Sequence, residues 1–294
     1  MNEFNPISMR DMVKYREYLN VCGTRASDYS FTNLWGWAEH YGLEWHFSDN
    51  LCWIRQTKPS VRYWAPIGDW KTIDWKAVAF PAGADGKREF FRVPEDLRVL
   101  WQEALSIEYA ETRGQWDYLY LSEELASLSG NKFHKKKNLL NQFLKKYPDY
   151  HYNSLNDEDV DAVLQMQKDW CIWNECKGSQ ALLAENTAVL RVLSNWNRLP
   201  GIKGGYITVQ EKVIAYTVGE ELTPDTLVVH FEKGATQFKG IYQAINAFFV
   251  CEAGMPYQYI NREQDLDDPG LRKAKESYNP TGYIEKSTVR INGL

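Results

Sequence analysis

Residues 27–42, SDYSFTNLWGWAEHYG, place Phe31, Leu34, Trp35 and Ala38 at i, i+3, i+4 and i+7, the spacing of one helix face. Ser27 or Asp28 would cap this helix and Gly42 would close it. The period then changes. LEWHF, LCWIRQ and RYWAPIG read as strands, separated by turn signals at Ser48-Asp49-Asn50 and Lys58-Pro59-Ser60. A helix is expected around TIDWKAVAF, ending at Pro81, and EFFRV, LRVLWQ and WDYLYL read as strands or mixed elements.

A second pattern starts near His151. NDEDVDAVLQMQKDWCIW has an acidic helix start followed by helical apolar spacing, and AENTAVLRVLSNW continues as another helix. GGYITVQEKVIAYTVGEEL reads as a hairpin turning at Glu211-Lys212, TLVVHFE as a buried strand and IYQAINAFFVCEA as a helix. PYQYINR, DPGLRKAKESYNP and YIEKSTVRI then read as strand, helix and strand. This order matches the N-acetyltransferase (GNAT) fold, whose mixed sheet splays open beside the strand before the central loop. The first half runs through a looser version of it. The expected class is therefore mixed α/β, with two tandem GNAT-like acyltransferase domains: residues 1–148, ending in a basic helix, and residues 149–294, carrying the active site.

Composition removes several alternatives. A formal net charge of −5 argues against a general nucleic-acid binder, although a local basic patch can still hold a phosphate-bearing partner. Five scattered Cys and five scattered His lack metal-ligand spacing, so no metal site is expected and the thiols read as free in a reducing compartment. Twelve Trp and eighteen Tyr are core and cleft material rather than a sign of a cofactor. The start has no apolar core like that of a signal peptide, and IYQAINAFFVCEAGM is too short and polar to span a bilayer. The chain reads as cytoplasmic.

Three constellations carry candidate chemistry. In TLVVHFEKG, strict alternation turns Leu227, Val229 and Phe231 to one face and Val228, His230 and Glu232 to the other. Glu232 then lies near the strand's carboxyl end, where open sheets place ligands, as a general base or as half of an ion pair. The following loop, Gln237-Phe-Lys239-Gly240-Ile-Tyr242, resembles the Q/R-x-x-G-x-G/A signature that wraps a coenzyme A pyrophosphate, with Gln237 and Gly240 matching and Tyr242 departing.

From Lys132 to Lys146 the second constellation holds six Lys and one His with no acid. Phe133, Leu140, Phe143, Leu144 and Tyr147 form one helical stripe, and Lys136 projects inside it while Lys135 points away. Most of these Lys read as a solvated face. Lys136 either snorkels past the core or enters a cleft, where it would bind phosphate or carboxylate. In QDLDDPGLRKAKESYNP, the third, Asp268 caps a helix with Pro269 at its first position and Asn279-Pro280 stops it. Lys275 falls on the buried side with Leu271 and Tyr278, and its expected partner is Glu232 or Asp265.

DYSFTNLWGW, YWAPIG, SGNKFHKKKNLLNQF, HFEKG with KGIYQAIN, and YINREQDLDDPGLRKAKESYNP together resemble the family related to the C-terminal domain of phosphatidylglycerol lysyltransferase, distantly similar to the Fem peptidyltransferases. The resemblance implies aminoacyl transfer from aminoacyl-tRNA to a lipid, small-molecule or peptide acceptor, in the second GNAT unit. Gly270-Leu271-Arg272 and Lys275 match its GLR-x-x-K motif, and Glu232 its strand-end Glu. The expected catalytic residues are Glu232 and Lys275. Lys136, Arg272, Gln237, Lys239, Gly240 and Asp265 are expected to bind substrate or donor, and the 132–146 helix to contact tRNA. No particular cofactor is fixed by the sequence; acyl-CoA is the candidate. An acetyl-CoA-dependent N-acetyltransferase and a non-catalytic binding module on the same fold are the alternatives.

Overall fold

A computed structural model describes residues 3–48 and 50–293, so the turn expected at Ser48-Asp49-Asn50 lies partly outside the described residues. The fold class is the expected one, mixed α/β with two seven-stranded sheets. The boundary falls elsewhere than at residue 148. One compact unit comprises Met1–Asp117, Gln264–Asp268 and Tyr283–Leu294; the other comprises Tyr118–Glu263 and Pro269–Gly282.

The first unit holds strands β1 (Asn5–Pro6), β2 (Leu43–Phe47), β3 (Cys52–Gln56), β4 (Arg62–Trp64), β5 (Arg88–Pro94) and β6 (Ile107–Glu111), and helices α1 (Met12–Cys22), α2 (Phe31–Gly36), α3 (Ala38–Tyr41) and α4 (Glu95–Ala104). Its sheet order is β1-β2-β3-β4-β5, then the C-terminal strand Lys286–Ile291, then β6. That last strand pairs antiparallel with both neighbours, Val289 facing Phe90 and Tyr109. Sequence order alone assigns it to the second domain.

Two expected elements differ. Residues 72–80 form turns, not a helix, because Trp75 and Phe80 are pulled into an aromatic core with Phe90 and Trp101, and the Trp75 indole N–H donates to the Trp70 carbonyl. Residues 95–104 form α4, so LRVLWQ is helical. The cap of α2 is Ser30, whose hydroxyl accepts from the Asn33 N–H at 3.1 Å.

Asp28 is not a cap because its carboxylate is used elsewhere. It pairs with Arg92 and with Lys286, which is fully buried and also reaches Asp117 at 2.7 Å. Gln264 donates to Asp117 at 2.7 Å and to the Ser27 hydroxyl at 3.0 Å, completing a buried polar network. Burial pushes the Asp28 carboxyl up, but Lys286 and Arg92 outweigh it and hold it below the usual range.

The second unit contains β7 (Asp117–Leu121) from Tyr118 onward, α5 (Ser122–Ser127), α6 (His134–Lys146), β8 (His151–Ser154), α7 (Val160–Trp173), α8 (Gln180–Leu193), β9 (Ile202–Val209), β10 (Lys212–Thr223), β11 (Thr226–Gly234), α9 (Ile241–Phe249), β12 (Tyr259–Asn261), α10 (Pro269–Glu276) and the start of β13 (Gly282–Ile284); the C-terminal strand is then β14. The sheet order is β13-β7-β12-β11-β10-β9-β8. The β9–β10 turn is at Gln210-Glu211, both left-handed (φ 50 and 63), one residue earlier than expected and as a two-residue hairpin turn requires.

The basic helix α6 belongs to this second unit, packing Phe143, Leu140 and Leu144 into the cluster of Ile207, Ile214, Ala244 and Ile245. Cys171 and Cys176 are joined by a disulfide, against the expectation of free thiols. The chain turns back after α7 through left-handed Glu175 (φ 50), which brings the two residues together and removes the thiol argument for a reducing compartment. Cys22, Cys52 and Cys251 are free. Among the described residues, no helix is long and apolar enough to cross a membrane.

Candidate functional site

β11 pairs with β10 along nearly its whole length, but with parallel β12 only from Thr226 to Val228. Beyond Val228 the two parallel strands part, and Glu232 sits on the parted segment, at the carboxyl end that open sheets offer to ligands. Phe231 faces Val218 and Val229 faces Gly219, leaving His230 without a register partner. This bulge breaks the strict alternation expected from Leu227 to Glu232.

Glu232 takes Arg262, not Lys275, as its cation. The Arg262 Nη2 lies 2.9 Å from Oε1, and the Asn246 amide donates to Oε2 at 3.1 Å. Thr217 stands opposite Glu232 in the β10–β11 register, so its side chain shares the carboxylate's face. Burial favours a neutral Arg262, and the Glu232 charge more than offsets it. Three buried polar atoms of this group have no hydrogen-bond partner among the described residues: Arg262 Nη1, Asn246 Oδ1 and Thr217 Oγ1. An orphaned buried polar atom costs about 1–3 kcal/mol, and several around one carboxylate mark a place prepared for other polar groups.

Tyr278, in the turn two residues after α10, is the hub beside this group. The Arg262 guanidinium carbon lies 4.8 Å and the Lys136 Nζ 4.0 Å from its ring centroid, while its hydroxyl accepts from Gln243 at 3.1 Å. Lys136 is half-buried on α6, as its place in the apolar stripe predicts, and Lys135 and Lys137 are exposed. Burial, then the Arg262 charge, lowers the proton affinity of Lys136.

Lys275 joins the same neighbourhood through the backbone: its Nζ donates to the Arg262 carbonyl at 2.5 Å and lies 5.7 Å from the Tyr118 ring centroid. Arg272 is half-buried on α10. Asp265 is buried in the first unit, where it pairs with Arg113 at 3.1 Å. Sequence reasoning missed Arg262, Asn246 and Thr217, and read Tyr278 only as part of a buried helix face. Arg262 left one readable signal, a cation directly after an apolar strand in YINREQ.

The family profile described as "Phosphatidylglycerol lysyltransferase, C-terminal" matches residues 20–290. The chain belongs to this family. A conserved protein of unknown function from Bacteroides thetaiotaomicron is 30% identical, with a TM-score of 0.89 covering 99% of this chain and 100% of that one. The C-terminal domain of a putative lysylphosphatidylglycerol synthetase from Agrobacterium fabrum shares the fold at 12% identity (TM-score 0.66; 98% and 93% covered), as does L-PGS from Bacillus licheniformis (12% identity; TM-score 0.62; 95% and 90% covered). An uncharacterized protein of Mycoplasmoides gallisepticum is 24% identical over 176 residues; the match spans 60% of this chain and 56% of the relative's length.

In this member of the lysyltransferase C-terminal family, the loop expected to cradle a coenzyme A pyrophosphate is filled by protein. A Cβ added at Gly240 would lie 2.2 Å from the Leu139 carbonyl oxygen and 3.0 Å from the Phe143 Cβ, so α6 rests directly on the loop. Phe238 packs on Tyr147 with centroids 4.9 Å apart, and the Ile241 N–H is taken by the Phe238 carbonyl at 3.0 Å. Gly240 is thus required for helix approach, with its left-handed φ of 90. Gln237 and Lys239 are exposed beside it. These residues do not fit the cofactor.

His230, at the bulge, is a second feature the alternating pattern hid. Its Nδ1 lies 2.9 Å from Glu263 and its Nε2 3.0 Å from Glu220, with the imidazole fully buried. Burial pulls its pKa down, but the two carboxylates prevail and raise it from 6.5 to about 9. A raised folded-state value stabilises fully below pH 6.5, and the contribution is lost as pH climbs through 9. Urea denaturation is expected to show a stability fall on the order of 3 kcal/mol between those limits, and His230→Gln to flatten it. An equally steep fall in that variant would remove His230 as the cause.

Proposed function

We propose that the chain transfers an aminoacyl group from aminoacyl-tRNA to an amine or hydroxyl acceptor, with the Glu232 group of the second unit as the reaction site. The family supports an acyltransferase, and its description names lysyl transfer and phosphatidylglycerol. The observation that carries the reading is the Glu232 group itself: a carboxylate at the parted end of β11, oriented by Arg262 and Asn246, among unpartnered buried polar atoms. The filled pyrophosphate loop favours a tRNA donor over coenzyme A.

In this reading the acceptor's lone pair attacks the aminoacyl ester carbon. The new bond joins acceptor to acyl carbon, and the ester bond to the terminal ribose breaks. The acceptor's proton ends on the departing ribose hydroxyl. Each carboxylate oxygen has two lone pairs, so Glu232 can relay that proton while still holding Arg262 and Asn246. Lys275 and Arg272 supply positive charge for the oxyanion. The exposed lysines of α6 hold the tRNA backbone.

Replacing Lys135, Lys136 and Lys137 together by Gln should weaken tRNA binding and flatten its dependence on salt, by about one unit of log–log slope for each phosphate that is no longer neutralised. Filter binding across a salt series reads both. Unchanged affinity and slope would sink the tRNA donor.

A further inference from the structure

Lys136 makes no hydrogen bond or ion pair with any described residue, although it is half-buried and lies 4.0 Å from the Tyr278 centroid. A half-buried ammonium normally ends on a carboxylate or carbonyl. The ring partly compensates, but it accepts none of the three N–H bonds in a directed way. Arg262 is in a similar position just past β12: Nη2 is spent on Glu232, while Nη1 is buried with no well-formed hydrogen bond, although the guanidinium also interacts with the Tyr278 hydroxyl. Both cations lie against one ring, the Arg262 carbon at 4.8 Å from its centroid, and the Arg262 charge is felt at Lys136. Two like charges held this close repel, and an anion between them removes that cost.

We infer that Lys136 and Arg262 clamp one phosphate group beside the ring of Tyr278. Tyr278 positions both cations; Gln243, donating to its hydroxyl at 3.1 Å, fixes the ring edge. Glu232 holds Arg262 through Nη2 and leaves the buried Nη1 for the anion. The clamp selects tetrahedral oxyanions, since Lys supplies a point charge and Arg a planar donor set. This rests on the donor reading above and deepens it, because a phosphodiester of the donor's 3′ end would occupy the clamp, and free inorganic phosphate offers the same chemistry.

The experiment is isothermal titration of the full chain with inorganic pyrophosphate and, separately, with a short RNA ending in CCA. Wild type should bind a phosphate probe, and Lys136→Met should weaken that binding about tenfold or more, the scale of one charge-assisted contact. Lys168→Met, an exposed lysine of α7, should leave it unchanged. Arg262→Lys, which keeps a cation for Glu232 but removes the second arm, should weaken it as well; its fold is checked by circular dichroism. Binding of the RNA and pyrophosphate in competition assigns the clamp to the donor backbone, and binding of pyrophosphate alone assigns it to free phosphate. No binding of either probe, or equal affinity in wild type and Lys136→Met, overturns the clamp. Undiminished transfer by Lys136→Met would sink the clamp and leave the transferase reading standing; phosphate binding without any transfer would do the reverse.

Discussion

Arg262→Met is expected to lower the unfolding free energy by about 3–5 kcal/mol, because it strands Glu232 as an uncompensated charge in the parted end of the sheet. The pair is close and mostly buried, 2.9 Å apart with side chains 14% and 10% exposed, so solvent screening offers little relief. Glu232→Gln strands the guanidinium instead and should cost less, since a glutamine can still accept from Arg262. The double variant Arg262→Met with Glu232→Gln should recover much of the loss, as removal of both partners leaves no buried charge. Urea denaturation gives all three values. If the double variant is as unstable as Arg262→Met plus Glu232→Gln taken additively, the two side chains do not act as a unit. If it folds well and has lost phosphate binding or transfer, the pair serves the site rather than the fold.

The second large effect belongs to the first unit. Lys286→Met removes the cation that reaches Asp117 and one of the two that pair with Asp28, on a strand with no solvent at that position. A loss of about 3–5 kcal/mol is expected. Asp28 keeps Arg92, so Asp117, which burial already pushes up, should take a proton first. The folded-state carboxyl of Asp28 is depressed, and its stabilising contribution is present above the ordinary aspartate pKa and lost as pH falls through the folded value. Lys286→Met should therefore also weaken that acid dependence. Asp117→Asn combined with Lys286→Met should be less damaging than Lys286→Met alone; an equal or larger loss would show that packing, not charge, fixes this strand.

Most elements were legible from periodicity because one face of each is buried. LEWHF is β2 and WDYLYL is β7 with one residue added in front. The domain boundary was not legible, because strand exchange is a property of pairing: β14 inserts between β5 and β6, and nothing in its own residues names those neighbours. The helix expected at residues 72–80 failed because three-dimensional burial of Trp75 and Phe80 outweighed local propensity. At the site, Glu232 and Lys136 were legible as oddities, a carboxylate ending an apolar strand and a cation inside an apolar stripe. Their partners were not. Lys275 looked like the match for Glu232 on the assumption that two buried charges pair, whereas Arg262, nearer in the sheet, took the carboxylate. His230 was hidden by a bulge that the two-residue period cannot anticipate.

The central claim is that the second unit receives an aminoacyl-tRNA and not coenzyme A. It is tested most directly by calorimetric titration of the full chain with a non-hydrolysable aminoacyl-tRNA analogue and with acetyl-CoA, repeated on the Lys135, Lys136 and Lys137 triple variant. The account predicts heat with the analogue, reduced in the triple variant, and none with acetyl-CoA. Binding of acetyl-CoA, with no binding of the analogue, would contradict it.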